Sequence, residues 1–198
     1  MKNYITLLLL FITASTFSQS NSKIQKKVLM VVSSYGKDNG NTRPGFEFEE
    51  FGDAYTIFTQ NHVKVTVVSP KGGSVVADKF DATKKKNRAF LTNSATRNLL
   101  KQTLPTSTIN ANNYDAVYVI GGKGAMFDLP YDPSLQDIVI NLYNRERTVL
   151  AAVCHGTAAF VHVKDQNKYI LDNEKITGFS NQEERLFKSK WINEFPFL

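Results

Sequence analysis

An α/β fold, a mainly parallel sheet with helices on both faces, is predicted by three features of the sequence. Short β-branched and apolar runs recur without polar alternation, as strands buried on both faces require. Stretches with apolar residues at helical spacing separate these runs, which is the alternation of a parallel sheet. Two of the runs end on glycine or on a cysteine among small residues, the strand-end position where such folds hold ligands.

The first run is Lys27 to Ser33 (Lys-Val-Leu-Met-Val-Val-Ser), followed by a Gly/Asn/Pro-rich loop from Gly36 to Gly45. Phe51, Tyr55 and Phe58 then mark one face of a helix, and Val63 to Ser69 is a second buried strand closed by Pro70 and Gly72-Gly73. Residues 74 to 113 carry polar loop sequence, a short helix around Ser94 to Thr103, and Pro105. Tyr114 to Ile120 is the third strand and runs into Gly121-Gly122. Leu135, Ile138, Val139, Leu142 and Tyr143 mark a helix, and Thr148 to Val153 is the fourth strand. Lys168 to Leu171 and Lys175 to Thr177 flank Asp172-Asn173 and read as a hairpin or short crossover. With no internal repeat and no linker, residues 27–198 form one domain.

At 198 residues, 42% hydrophobic and with a single cysteine, the chain is long enough for one core and excludes a disulfide scaffold. The formal charge of +6 aids solubility and weak anion attraction. Its densest piece, Lys84-Lys85-Lys86 with Arg88, lacks interleaved aromatics and reads as a solvated loop, so no nucleic-acid partner is expected. The N-terminus has the three-part layout of a secretory signal peptide: Lys2, an apolar run from Ile5 to Ala14, then small residues at Thr16 and Ser18. That run covers about half of the ~20 residues that span a bilayer. The expectation is cleavage of residues 1–18, export to a periplasmic or extracellular space, and no membrane insertion thereafter. Without cleavage the protein is cytoplasmic.

Chemistry gathers first at Ala151-Ala152-Val153-Cys154-His155-Gly156-Thr157, where a strand ends on cysteine and a helix rich in small residues begins. Ala152 and Gly156 leave room for a sharp strand-to-helix turn, the cysteine counterpart of a nucleophile elbow. A helix N-terminus favours the thiolate, and His155 supplies an adjacent base. A buried structural cysteine is the competing reading. Gly121, Gly122 and Gly124 around Lys123 allow close backbone approach and free amides, suited to an anion or oxyanion. Glu47, Glu49 and Glu50 early on the first helix, and Glu183-Glu184 near the end, are candidate acids that sequence alone does not rank. His62 falls in a loop and His162 on a helix face; no spacing matches a metal site.

Several of these stretches resemble the ThiJ/PfpI superfamily, with its class I glutamine amidotransferase-like, flavodoxin-like three-layer sandwich. They are Ala-Val-Cys-His-Gly at 152–156, Thr177 to Glu184, Gly-Phe-x-x-Glu-Glu-Phe at 45–51, Ser69 to Gly73 and Tyr114 to Val117. The nearer likeness is to the branch of glutathione-independent glyoxalase III and heat-shock chaperone-like members. The resemblance implies Cys154 as nucleophile and His155 as its base. It implies Glu184, with Glu183 as fallback, orienting His155, and Glu50 as the acid on the thiol. It places the amides of Gly122 and His155, beside Gly121, on the oxyanion. Three departures stand out. Lys123 replaces the usual His of a Gly-Gly-His-Gly motif, making the pocket more cationic. Asp53-Ala54 stands where a His-Pro pair is common. The chain ends at Phe195 to Leu198, where relatives continue into another charged helix, so it is either truncated or lacks that cover.

The implied activity is cofactor-independent conversion of 2-oxoaldehydes such as methylglyoxal to 2-hydroxy acids, with a small aldehyde as partner and a homodimer as assembly. The alternatives are a holdase chaperone of unfolded clients, a thiol stress sensor, or a cysteine peptidase or amidase. Internal redox chemistry needs neither nicotinamide nor metal.

Overall fold

The structure, a computed structural model, describes residues 25–38 and 41–186. The predicted signal segment and the chain end at Phe195 to Leu198 lie outside the described residues. The central sheet has five parallel strands: β1 (Lys27–Val31), β2 (Lys64–Ser69), β3 (Leu104–Pro105), β4 (Ala116–Val119) and β5 (Val149–Ala152). Their spatial order is β3-β2-β1-β4-β5. The chain therefore steps one way from β1 and then returns to its other side, leaving a crevice beyond the strand ends between β1 and β4. Val31 pairs with Val68 and Val119, and Val119 with Ala152, so the carboxyl ends of the four main strands lie level.

Strand pleating divides the core into two layers. Leu29, Val31, Val117 and Val119 face α5 (Pro133–Tyr143), which contributes Leu135, Ile138, Val139 and Leu142. Val28, Met30, Val32 and Val67 face the opposite layer, where Phe48 and Phe51 of α1 (Phe48–Gln60) meet Phe90 of α2 (Lys85–Thr92) and Leu100 of α3 (Ser94–Lys101). Helix α5 starts because Pro133 fits the first turn and the Asp132 side chain accepts from the Ser134 amide at 3.0 Å. Among the described residues no helix is long and apolar enough to cross a membrane.

The flavodoxin-like α/β expectation is met, but four local readings change. The lysine run 84–86 is no loop: Lys85 and Lys86 open α2, and Lys84 and Lys86 pair with Glu49 and Asp53 on α1. The paired acids lie on the neighbouring helix, which a single-segment reading does not see, and all three lysines stay exposed as expected. The hairpin is displaced: Lys164–Asp165 pairs with Lys168–Tyr169 around Gln166 and Asn167, both at positive φ, while 175–177 forms no strand. That geometry suits a two-residue turn usually signalled by Asn-Gly, which is missing here. His162 lies in a turn rather than on a helix face. Strand β3 is only two residues long and carries a proline, so it left no alternating pattern to read.

One buried carboxyl fixes the exit of β1 against the turn after β4. Asp128, at the end of the short helix α4 (Ala125–Asp128), accepts from the Ser33 hydroxyl at 2.8 Å and the Ser34 amide at 2.7 Å. Burial raises it from 3.8 to about 7 against those hydrogen bonds. The folded protein thus holds a proton that the unfolded chain releases. Stability from this group is full below about pH 4 and lost as pH rises through about 7. Asp128→Asn keeps the bond from the Ser34 amide through its carbonyl oxygen, turns the one with Ser33 around so that its own amide donates to the hydroxyl, and has nothing to ionise. Urea titrations from pH 4 to 8 should show the parent losing on the order of 4 kcal/mol relative to that variant, at ~1.4 kcal/mol per pKa unit. Parallel curves would show that Asp128 does not titrate in this range.

Candidate active site

The site assembles where three chain segments reach the level strand ends. From β5 the chain turns abruptly, and Cys154 is held at a φ of 53°, a left-handed conformation that costs a non-glycine residue roughly 1–3 kcal/mol. The segment after it, Cys154–Phe160, is a 3₁₀ helix rather than the α-helix expected from its small residues. Close packing explains the difference: a Cβ on Gly156 would lie 2.6 Å from the Val119 carbonyl oxygen of β4. The short helix has little macrodipole to offer the sulfur, so stabilisation of a thiolate must come from individual donors.

Those donors are present. The amides of His155 and Gly122 both hydrogen-bond Cys154 and pull its pKa downward. Gly122 reaches it from the turn after β4, with φ of 93° and no room for a side chain, since a Cβ would stand 2.4 Å from the Glu47 nitrogen. Gly121 is equally confined: its amide donates to Glu50 Oε2 at 2.8 Å, and a Cβ would meet both that oxygen and Cys154. Glu50 arrives from the first turn of α1 and hydrogen-bonds the thiol as well.

Two opposed tendencies meet at this pair. Burial, then the charge of Glu50, pushes the Cys154 thiol up to about 12, against the downward pull of the His155 and Gly122 amides. Burial also raises Glu50, with Glu47 adding to it, while the Gly121 amide and the thiol hydrogen bond act the other way. Two half-buried acids in contact do not both ionise readily, so the pair keeps one proton between them. With that proton on Glu50, the carboxyl stops repelling the sulfur and becomes a donor to it.

His155 lies on the other side of the sulfur, its Nδ1 3.2 Å from Cys154 Sγ. Its Nε2 pairs with Glu184 Oε1 of α6 (Asn181–Leu186), and the two side chains are 6% and 3% exposed. A carboxylate at Nε2 fixes the tautomer with the proton there and leaves Nδ1 as the acceptor facing sulfur. Burial, aided by Lys123, lowers the imidazole pKa against the opposing pull of Glu184 and Asp78, which favours the neutral base. Phe179 stacks on the ring at 4.6 Å between centroids and holds its plane. Glu183 points elsewhere: its carboxylate accepts from the Ser180 amide and hydroxyl, both at 2.8 Å, while its own amide donates back to that hydroxyl. That reciprocal arrangement is a helix capping box.

Residues 26–194 match the DJ-1/PfpI family. The chain belongs to that family. It is 31% identical over 180 residues to the glutathione-independent glyoxalase hsp3101 of Schizosaccharomyces pombe, covering 80% of this chain and 69% of the relative. It is 29% identical over 170 residues to glyoxalase 3 of Candida albicans, covering 78% and 69%. Among solved structures, the Rapid Encystment Protein 24 KDa of Francisella tularensis superposes with a TM-score of 0.78 at 30% identity, over 87% of this chain and 77% of that one.

Within this DJ-1/PfpI domain the structure brings together Cys154, His155, Glu184, Glu50, Gly121 and Gly122, and separates Glu183, Glu49 and His62 from them. Lys123 is present through an ion pair with Asp78, Nζ to Oδ2 3.7 Å. Sequence reasoning did not single out Asp78, which sits in a featureless polar stretch. Phe179 was seen only as part of a motif. Among the described residues no cluster of His, Cys, Asp or Glu could hold a metal ion.

The role of Glu50 is open to a chemical test. Glu50→Gln keeps an acceptor for Gly121 and a donor for sulfur, whereas Glu50→Leu keeps neither. Alkylation of Cys154 by iodoacetamide at pH 7 should be about tenfold faster in the Gln variant, as expected for one hydrogen bond to a charged group. Equal rates would show that no such donor acts on the thiolate.

Proposed function

We propose that this protein is a glyoxalase III-type enzyme that converts 2-oxoaldehydes, methylglyoxal among them, into 2-hydroxy acids without glutathione. The observation that carries the reading is the line Cys154 Sγ, His155 Nδ1, His155 Nε2, Glu184, with a second acid, the half-buried Glu50, against the sulfur. The names of the fungal relatives above support the same substrate class. A hydrolase needs a nucleophile and one base; a carboxyl that shares its proton with the nucleophile suits addition to a carbonyl that must itself be protonated.

The steps follow from those positions. The Cys154 thiolate adds to the aldehyde carbon, and Glu50 gives its proton to the aldehyde oxygen, forming a hemithioacetal. The amides of Gly122 and His155 stabilise that oxygen while it carries charge. Neutral His155 removes the proton from the former aldehyde carbon through Nδ1, giving an enediolate, and returns it to the neighbouring carbon while the hydroxyl proton passes from the first oxygen to the second by way of Glu50. Glu184 stabilises the transient imidazolium and keeps the ring oriented, as an acid in a catalytic triad does. The former ketone is now a secondary alcohol and the former aldehyde a thioester. Water hydrolyses the thioester with His155 as base, releasing the 2-hydroxy acid and regenerating the thiol. Oxidation at one carbon balances reduction at the next, so the only other reactant is water.

Purified protein given methylglyoxal should form lactate, and Cys154→Ala should fall to the uncatalysed rate. Lactate production by Cys154→Ala at the parental rate would end this reading. The two neighbouring acids should separate sharply. Glu184→Gln should lose on the order of 10²-fold or more in kcat. Glu183→Ala, which removes only a cap worth about 1 kcal/mol, should keep kcat/KM within about twofold. Comparable losses from both would show that α6 acts merely as a structural unit.

A further inference from the structure

Lys123 and Asp78 form a charged pair that the steps above do not use. Lys123 directly follows Gly121 and Gly122, in a turn packed against the nucleophile: a Cβ on Gly121 would lie 2.9 Å from the Cys154 Cβ. Asp78 comes from Ala77–Lys79, a short strand pairing in parallel with Phe46–Glu47 just before α1. The two side chains are 21% and 15% exposed, so both charges lie mostly within the protein beside the site. Their fields reach the imidazole with opposite signs, Lys123 disfavouring and Asp78 favouring its protonated form. At 3.7 Å the contact is an ion pair longer than a hydrogen bond. Asp78 thus tethers the ammonium without taking one of its protons.

The proposed reaction creates a need that the other groups leave unmet. A 2-oxoaldehyde has two oxygens. The one on the attacked carbon is served by two amides and Glu50. Removal of the carbon-bound proton then places negative charge on the second oxygen, that of the ketone. We propose that the Lys123 ammonium donates to this ketone oxygen, and that Asp78 is a positioning residue that holds the ammonium there. The inference rests on the glyoxalase reading and extends it to substrate selection. The site would favour vicinal dicarbonyls, whose second oxygen meets the ammonium, over simple aldehydes. In the balance of the step, the carbon–hydrogen bond breaks and its proton goes to His155. Its electron pair forms the carbon–carbon double bond, and the ketone π pair moves onto the oxygen facing Lys123. His155 then returns its proton to the adjacent carbon while the first oxygen gives up its hydroxyl proton, by way of Glu50, to the second oxygen, so the first carbon becomes the thioester, the ketone becomes the alcohol and Lys123 keeps its own protons.

The test compares Lys123→Met, Asp78→Asn and the double variant in steady-state turnover of methylglyoxal. Lys123→Met should lower kcat by about 10²-fold, the scale for losing one donor to a developing oxyanion. Asp78→Asn should lower it on the order of tenfold through misplacement of the ammonium. The double variant should be no worse than Lys123→Met alone, because Asp78 reaches the ketone oxygen only through Lys123. Methylammonium should restore part of the turnover of Lys123→Ala. Propanal, lacking the second oxygen, should inhibit parent and Lys123→Met equally as a competing thiol adduct. Multiplicative losses in the double variant, no ammonium rescue, or unchanged kcat in Lys123→Met would overturn the inference while leaving a working parent enzyme. A parent inert to methylglyoxal would remove the glyoxalase reading, and this inference with it.

Discussion

The site depends on how closely the backbone at Gly121 and Gly122 approaches its neighbours. Where β4 ends, two consecutive residues pass between the Glu50 carboxyl, the Cys154 side chain and the segment leading into α1. Even one Cβ at Gly122 would collide with backbone at 2.4 Å. This contact joins three stretches far apart in sequence. It sets the distance between a carboxyl on a helix and a sulfur on the far side of a sheet strand, and it aims one amide at each. A collision with backbone, unlike one with a flexible side chain, has no easy relief.

Burial then decides how the groups ionise. Desolvation is the largest influence on Glu50, Cys154 and His155 alike, and in each case it favours the uncharged form. It leaves the imidazole neutral and the thiol and Glu50 with one proton between them, and the amides around the sulfur face the negative charge when that proton lies on Glu50. The lysine opposite Asp78 is the exception, a resident charge compensated by its own counter-ion.

The parts legible in the sequence were those whose neighbours lie nearby in the chain. Four strands showed as apolar runs, β1 because both of its faces are covered, and the edge strand β5 although it is only half-buried. The elbow showed because Cys154, His155 and the small residues around them are contiguous. Glu50 and Glu184 needed a resemblance to be singled out, since each is one of several acids on its own helix and only the fold shows which of them turns inward. Asp78 left no local trace. Its meaning lies in Lys123, 45 positions away. The lysine run at 84–86 was misread for the same reason, because the carboxylates that pair with it sit on another helix. Long-range charge pairing has no period, and a linear reading finds periods.

The backbone at Cys154 has a further meaning. A φ of 53° is a conformation that glycine adopts freely and that every side chain resists. Judged as architecture alone, position 154 is occupied by the wrong residue, and the strand would turn more comfortably without a sulfur there. The molecule therefore carries at this residue a local cost to folding, and under the proposed reaction that cost is what holds the sulfur at the strand end.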